Sequence, residues 1–223
     1  MRTGAKFMLG GFLSVLFVHL WTMAFPYFQD LLFITGVIVE WNITLSADVE
    51  RAISLFFYCF IQIGLLEESM KALSIRTVEF IRDKKESNIV SIMLYTCISS
   101  LGFAAVENVY YFVQAHEMAY IRVFTSVISH MACGVIMGYF FSLGHLRKKR
   151  TWYTILGISF ASMYHGAYDY LVYSMNEWKT TFHFYKKVVE INPSYYGLIL
   201  GVVIAYPLYR RIKHLESRCD PVL

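Results

Sequence analysis

Residues 60–75 read FIQIGLLEESMKALSI, a stretch with the composition of a membrane helix but with three ionisable side chains in its middle. Glu67 and Glu68 are adjacent, and Lys71 follows one helical turn later. A charge at membrane depth is costly, so ionisable residues there are rare and usually functional. The stretch therefore predicts both a transmembrane helix and a functional site within it.

The composition of the whole chain supports a membrane location. Hydrophobic residues make up 57% of the 223 residues and charged residues only 16%, whereas a typical soluble domain has about 25% charged residues. A soluble protein of this size could not bury so much apolar surface in one core. We therefore predict an integral membrane protein of the all-α class, a polytopic bundle of transmembrane helices in contact with the lipid bilayer.

The apolar segments predict six crossings, at residues 7–25, 51–80, 89–115, 121–146, 152–174 and 195–212. Residues 26–50 offer only about ten uninterrupted apolar residues, where a span needs about twenty. We interpret this segment as re-entrant or lying on the surface, and a seventh span is the alternative. The sequence has no internal repeat and no soluble domain, so residues 1–223 are predicted to form one domain with a motif-bearing core at about 51–175.

Basic residues are concentrated at the ends of the predicted spans. With six alternating spans, the clusters at 82–85, 147–150 and 210–213 fall on one side, which the positive-inside rule makes cytoplasmic. We therefore predict a multi-pass protein of the cell membrane. The formal net charge of +4 is accounted for by these clusters, and the sequence lacks the basic-aromatic patch that nucleic-acid binding needs. Oligomeric state is left open.

Four groups of polar residues interrupt the apolar helices. They are Glu67, Glu68 and Lys71 in EESMK, Glu107 and Asn108 in FAAVEN, His130 in SHMACG, and His165 and Asp169 in HGAYD. Counting about 1.5 Å per residue from the span ends places all four groups within about 10 Å of one another in height, in the outer half of a bilayer with a ~30 Å core. Groups at one height can share a site, so we predict that they converge.

Such a cluster supports the activation of water. A buried carboxylate, alone or paired with an imidazole, can deprotonate water, and a second imidazole, a protonated acid or an amide can stabilise the resulting oxyanion. Two histidines with one or two carboxylates would alternatively bind one divalent metal ion such as zinc. The candidate metal ligands are Glu68, Glu107, His130, His165 and Asp169, and the sequence does not choose between the two mechanisms.

Each group also has a structural interpretation. Glu67 with Lys71 would form an ion pair that stabilises helix packing, and Glu107–Asn108 would form hydrogen bonds between helices. His130, or His165 oriented by Asp169, would be a structural histidine. The location of all four groups at one depth favours the functional interpretation. His19 has no obvious partner in the first span, and the scattered cysteines are typical of small buried hydrophobes.

The ordered motifs EESMK, GFAAVENVYYF, SHMACGVIMGYF and YHGAYDYL, at residues 60–175, resemble the PrsW family of intramembrane proteases. That family is distantly similar to the type II CAAX prenyl endopeptidases, with motifs E-E-x-x-x-R, F-x-x-x-H and H-x-x-x-N. Here Glu107 stands where those enzymes have histidine, Asp169 stands where they have asparagine, and Lys71 stands in for the arginine at nearly the same spacing. These departures favour PrsW.

The resemblance implies hydrolysis of a peptide bond in a membrane-anchored protein substrate near the extracytoplasmic face, as in first-site cleavage of an anti-sigma factor. By analogy, Glu67 and Glu68 would activate water and Lys71 would neutralise one of them. Glu107 and His130 would assist or hold a metal. His165 and Asp169 would then bind the oxyanion or complete the metal shell.

Two other classes of function compete with this hypothesis. Chains of carboxylates and histidines also build proton-coupled transporters and ion pathways. Transporters usually contain repeated, broken helices, and this sequence shows no internal repeat. A non-catalytic scaffold on a protease-like fold is the third possibility, but a scaffold would be expected to have lost part of the polar set.

Overall fold

The described residues include six long α-helices that form a bundle. The computed structural model describes residues 3–34, 52–53, 55–81, 88–114, 119–177, 181–184, 187–190 and 194–219. Its helices are α1 (Thr3–Ile34), α2 (Leu66–Ile81), α3 (Ile89–Gln114), α4 (Ala119–Leu146), α5 (Arg150–Glu177) and α6 (Ser194–Cys219). A π-helical stretch, Tyr58–Leu65, runs directly into α2 and is called the π segment.

Each predicted crossing coincides with a helix or, for residues 51–80, with the π segment and α2, and α1 and α6 extend furthest beyond their predicted bounds. α1 continues to Ile34 instead of stopping at residue 25, and α6 continues to Cys219 instead of residue 212. The predicted re-entrant segment therefore loses residues 26–34 to α1, because an apolar environment favours continued backbone hydrogen bonding within one helix. Residues 35–50 and the basic cluster at 82–85 lie outside the described residues, and the single-domain organisation stays a prediction.

Three segments of the described residues are long and apolar enough to cross a membrane by length and composition. They are Thr3–Leu20, Ile89–Tyr110 and Val123–Leu146. The surface of the bundle is also apolar, because large hydrophobic side chains such as Leu20, Val109 and Phe124 are mostly exposed. Such an exterior suits lipid rather than water, which agrees with the predicted membrane location.

A short hairpin departs from the helical pattern between α5 and α6, where the sequence predicted only a connecting segment. Strands β1 (Thr181–Phe184) and β2 (Lys187–Glu190) pair antiparallel, with Thr181 opposite Glu190 and Phe184 opposite Lys187. The hairpin lies between the helices along the chain and adds no strand to the bundle itself.

The helices close around a shared interior. α1 packs against α2 and α3, α3 against α4, α4 against α5 and α6, and α5 against the π segment. The main hydrophobic core lies among α2 to α5 and includes Ile75, Ile92, Met137, Phe141 and Ala161. This arrangement brings the four motif-bearing helices α2, α3, α4 and α5 to one interior.

The contact between α1 and α3 depends on glycine. A Cβ atom on Gly11 would overlap the backbone carbonyl oxygen of Ser99, and a Cβ atom on Gly102 would overlap the backbone of Met8. Small residues of this kind let membrane helices approach each other closely. The position of α1 along α3 is therefore fixed at this crossing.

Candidate active site

The four polar groups meet in the interior of the bundle. α2 contributes Glu67, Glu68 and Lys71, α3 contributes Glu107, α4 contributes His130, and α5 contributes His165 and Asp169. Side chains of Glu68 and Lys71 are fully buried, and His130 and His165 are almost fully buried. Side chains that the sequence separates by about a hundred residues thus form one continuous cluster, called the acidic cluster below.

Close helix packing places the two adjacent glutamates against α5. A Cβ atom on Gly64 would lie 2.8 Å from the carbonyl oxygen of Ser162, and one on Gly166 would lie 2.8 Å from the Cα atom of Phe60. The π segment can therefore lie directly on α5 beside His165. π-Helical turns recur at functional sites, and this one ends at Leu65, two residues before Glu67.

Lys71 is the centre of the cluster. Its Nζ atom lies 2.6 Å from Glu68 Oε1 and 3.6 Å from Glu67 Oε2, so the closer ion pair is with the residue at i−3. The same Nζ atom lies 2.9 Å from His130 Nδ1 and 4.0 Å from the centre of the Phe103 ring. One ammonium group therefore links α2 to α3 and α4, and it neutralises Glu68 more directly than Glu67.

The contacts of His130 define its tautomer. An ammonium group only donates hydrogen bonds, so Nδ1 of His130 accepts from Lys71. The other ring nitrogen, Nε2, then carries the proton and donates to Glu107 Oε2 at 2.6 Å. Ser126 donates to the same oxygen at 3.4 Å. Lys71 thus holds the His130 ring, and the ring in turn orients the Glu107 carboxylate.

His165 lies between three carboxylates. Its Nδ1 atom donates to Glu68 Oε1 at 2.8 Å, while Nε2 lies 3.7 Å from Glu67 Oε2 and 3.5 Å from Asp169 Oδ2. With Nδ1 as the donor, a neutral ring directs the lone pair of Nε2 at two carboxylates. A proton or a cation between Nε2 and these carboxylates would relieve that arrangement, so this nitrogen is a point where the site can hold positive charge.

Asn108 is a predicted site residue whose side-chain amide forms its hydrogen bond outside the cluster. Its amide nitrogen donates to the carbonyl oxygen of Val123 at 3.4 Å, between α3 and α4. Within the described part of the chain, Asn108 Oδ1 is buried without a hydrogen-bond partner. This geometry matches the interhelical hydrogen bond that was the structural interpretation of the Glu107–Asn108 pair.

A cavity of about 370 Å³ connects the cluster to the surface of the bundle. Three carboxylate residues of the cluster lie in its wall, namely Glu67, Glu107 and Asp169. The rest of the wall comprises Val18, His19, Met23, Tyr58, Gln62, Ile63, Tyr110 and Tyr173. Glu67 therefore faces a space that can admit water or substrate, whereas Glu68 lies deeper, between Lys71 and His165.

The sequence interpretation missed two neighbours of the cluster. His19 was set aside for want of a partner, yet it lies in the cavity wall with its ring 4.8 Å from that of Tyr110. An ionisable residue inside an apolar span was the signal that could have found it. Cys133 was interpreted as a small buried hydrophobe, and its thiol lies near Glu68 and His165. No spacing in the sequence indicates that contact.

Two groups of described residues place potential metal ligands within 4.8 Å of one another: Glu67 with His130 and His165, and Glu68 with Cys133 and His165. The first is the two-histidine, one-glutamate set of catalytic zinc sites. Glu67 Oε2 is buried without a hydrogen-bond partner and lies 3.7 Å from His165 Nε2, a gap that an ion about 2.0–2.1 Å from each ligand can bridge.

The charge of the cluster also fits a bound cation. Four carboxyl groups, on Glu67, Glu68, Glu107 and Asp169, face one lysine across the two imidazoles. Buried charges must be paired or coordinated to a metal. The residues present therefore fit a divalent ion, although the favoured set includes Glu67, which the sequence did not predict as a ligand, and leaves out the predicted ligands Glu68, Glu107 and Asp169.

Comparisons with known proteins identify the relatives of this chain. The family described as PrsW family intramembrane metalloprotease matches residues 5–209. The protein named Protease PrsW of Bacillus subtilis (strain 168) is 32% identical over 128 residues, which cover 55% of this chain and 57% of that protein. Protease PrsW of Clostridioides difficile (strain 630) is 26% identical over 181 residues, which cover 77% of this chain and 67% of that protein.

The matches cover these relatives only in part. The first of them is matched over 57% of its length, and Protease PrsW of Oceanobacillus iheyensis is 32% identical over 56% of its length. No solved structure matches the chain significantly. The family match includes all eight predicted site residues, because every one lies between residues 5 and 209.

Proposed function

The chain belongs to the PrsW family of intramembrane metalloproteases, and we propose that it hydrolyses a peptide bond of a membrane-anchored protein at the acidic cluster. The predicted resemblance to this family is confirmed. One observation carries the proposal: acids and imidazoles from four helices meet in a buried cluster, and Glu67 faces the cavity that reaches it.

Glu67 is the residue we assign to water activation. It lies in the cavity wall, and its Oε2 atom has no hydrogen-bond partner among the described residues. A buried carboxylate with a free oxygen can accept a proton from water as that water attacks a carbonyl carbon. Glu68 also has an unpartnered oxygen, Oε2, but it does not line the cavity, and Lys71 and His165 occupy its Oε1 atom at 2.6 and 2.8 Å, so we give it the supporting role.

The imidazoles would stabilise the charge that develops on the peptide oxygen. With a proton at Nε2, His165 would place positive charge between Glu67 and Asp169, on the side of the cluster that adjoins the cavity. Preorganised donors beside a developing oxyanion are usually the largest contribution to catalysis. Glu107, oriented through His130 and Lys71, also faces the cavity and can take up or return a proton when the amine leaves.

Metal dependence forms part of the proposal. Glu67, His130 and His165 would hold the ion, and zinc is the candidate that the two-histidine, one-glutamate set favours. When bound, such an ion would polarise the carbonyl and lower the pKa of its water, and it would replace Glu67, then a ligand, as the group that activates water. His130 uses both ring nitrogens in hydrogen bonds to Lys71 and Glu107, so its ligation requires the release of one of them.

We also propose six crossings with the N-terminus in the cytoplasm. Three of the crossings are the segments that are apolar enough by composition. The other three would be the π segment together with α2, then α5, and then α6. α5 has 28 residues and α6 has 26, and either length exceeds the ~20 residues that a span needs. The cluster at 147–150 would then face the cytoplasm, and the acidic cluster would lie toward the other side.

The class of substrate follows from family analogy. We propose a single-span membrane protein that is cleaved near its extracytoplasmic end, with a membrane-bound anti-sigma factor as the specific candidate. Buried acids in the outer half of the bundle support cleavage within or beside the membrane. Oligomeric state does not enter the argument, because all the cluster residues come from one chain.

The test is cleavage of a fluorescent single-span reporter by the full-length protein in liposomes. Glu67→Gln is expected to lower kcat by about 100-fold or more, the usual contribution of a general base. Glu79→Gln is the matched control, because Glu79 lies on the same helix but pairs with Arg76 away from the cluster. Unchanged cleavage by Glu67→Gln would exclude this role for Glu67.

Metal dependence has its own measurement. Elemental analysis of the purified protein should find about one divalent ion per chain, and a chelator should remove both the ion and the activity, as expected of a catalytic metal site. His165→Ala should lower the metal content, whereas Glu79→Gln should leave it unchanged. Full activity in metal-free protein would favour the mechanism in which Glu67 alone activates water.

A further inference from the structure

The cavity also indicates how a substrate reaches the acidic cluster. It lies between residues 18–23 of α1 and residues 58–63 of the π segment, two stretches that we together call the side opening. We propose that the unwound end of a substrate's transmembrane helix docks in this side opening, entering sideways from the bilayer. The inference rests on the proposed function, and it adds the route and the contact residues of the substrate.

Two pairs of helices form the walls of the side opening. On one wall, where α1 packs on α3, the ring of His19 lies edge-on to that of Tyr110 at 4.8 Å and 89°. On the other wall, where the π segment packs on α5, the rings of Tyr58 and Tyr173 are 6.4 Å apart at 65°. Each wall thus presents an aromatic pair to the cavity, and the two pairs belong to different helix contacts.

The polar lining favours a polypeptide over a lipid chain as the occupant. An unwound segment of backbone in a membrane must find hydrogen-bond partners for its N–H and C=O groups. The cavity supplies Gln62, tyrosine hydroxyls and the carboxylates Glu67, Glu107 and Asp169. A lipid tail has no use for these groups, whereas an extended peptide can bond to them while its side chains contact the rings.

The rim of the side opening favours a substrate that arrives within the bilayer. Met23 is 70% exposed and Tyr58 is 46% exposed, although both line the cavity. Their neighbours Leu20 and Ile61 are exposed as well and do not line it. The cavity therefore opens on an apolar surface of the bundle. A transmembrane helix can lie against this surface while its end reaches Glu67.

Site-specific photocrosslinking tests the docking site. A photoreactive benzoylphenylalanine replaces Met23 or Tyr58 in full-length protein that carries Glu67→Gln, and the probe is a fluorescent single-span Leu/Ala peptide with a flexible juxtamembrane segment, in liposomes. The matched controls carry the same group at Leu20 or Ile61, one turn away on the same helices. We expect several-fold more crosslinked probe at 23 and 58 than at 20 and 61.

Crosslinking and cleavage together separate the two proposals. Equal crosslinking at the lining and control positions, while protein with Glu67 intact cleaves the same probe, would overturn the side opening and leave the protease intact. Preferential crosslinking without any cleavage by that protein would support the side opening as a docking site and count against the protease. A second readout is Gln62→Ala, which should raise KM for the probe several-fold with kcat unchanged, the signature of lost uniform binding.

Discussion

Helix α1 packs tightly against α3, whereas a cavity lies between α1 and the π segment. At Gly11 its backbone lies so near Ser99 of α3 that no side chain fits between them. Eight residues later, about 12 Å along the helix, His19 instead faces a cavity shared with Tyr58 of the π segment. The contrast indicates that one helix has two roles, a fixed contact that positions the bundle and an edge that leaves the acidic cluster accessible.

Breaking the closed contact should have the largest effect. In Gly11→Val, the new side chain meets backbone atoms of Ser99 and Phe103, which cannot move without separating α1 from α3. Overpacking against backbone is expected to lower the free energy of unfolding by more than about 3 kcal/mol. A thermal unfolding experiment in detergent micelles measures the change.

Gly4→Ala is the control for this prediction. A Cβ atom on Gly4 would make only an ordinary contact, 3.6 Å from the side chain of Ile98. The helix should therefore tolerate alanine at position 4 with unchanged or slightly higher stability. If Gly11→Val and Gly4→Ala unfolded at the same temperature, the contact between α1 and α3 would not be the fixed point described here.

The two adjacent glutamates of the acidic cluster show the same contrast between a closed and an open region. Glu68 belongs to its closed interior, where it pairs with Lys71 and His165, and Glu67 belongs to its open side, at the cavity. Removing one partner of a buried ion pair costs about 3–5 kcal/mol. In Glu68→Gln, Lys71 still has Glu67 at 3.6 Å, so the free energy of unfolding should fall by the lower part of that range. In Glu67→Gln it should fall by about 1 kcal/mol or less.

Both variants should lose most of the activity, so stability is the measurement that separates them. Unfolding of each variant in the same detergent, beside Glu79→Gln as the control, gives the difference. A larger loss of stability in Glu67→Gln than in Glu68→Gln would reverse the assignment of the deep and the exposed carboxylate.

The sequence carried enough information to predict the helices and their convergence. Periodic apolar segments predict α1 to α6, and counting residues from the span ends brings Glu67, Glu107, His130 and His165 to one height. Counting does not predict rotation about the helix axis. The different tasks of Glu67 and Glu68 depend on that rotation, which the π segment and the contact of Gly64 with Ser162 determine.

The cavity was beyond the reach of sequence patterns for a related reason. Its walls combine motif residues such as Glu67, Glu107 and Asp169 with residues of α1 and the π segment that belong to no motif. His19 and Tyr110 are 91 positions apart, and only the α1–α3 contact makes them neighbours. For the same reason Asn108, which lies next to Glu107 in the sequence, was assigned to the site although its amide bonds to Val123.

Filling the open region should affect substrate binding more than folding. In Met23→Trp, a larger side chain at a cavity position that is 70% exposed meets little protein, so the unfolding temperature should not change. If substrate uses the side opening, KM for the single-span reporter should rise by about threefold to tenfold, the effect of losing roughly 1 kcal/mol of uniform binding. Leu20→Trp is the control, and an equal rise in both variants would assign the effect to the lipid-facing surface.

The smallest effect is expected at Asn108, the predicted site residue that contacts neither region. Asn108→Ala removes a 3.4 Å hydrogen bond to Val123 and at the same time removes a buried oxygen that has no partner among the described residues. A hydrogen bond between membrane helices contributes about 0.6 kcal/mol on average, and the loss of the unsatisfied oxygen offsets part of this. Stability should therefore change by less than about 1 kcal/mol, and kcat/KM for the reporter should stay near the wild-type value.

The neighbouring variant Glu107→Gln provides the contrast, because it disturbs the bond to His130 at 2.6 Å and a carboxylate in the cavity wall. A loss of activity in Asn108→Ala as large as that in Glu107→Gln would mean that the amide acts in catalysis and that the site extends toward α4 beyond the cluster described here.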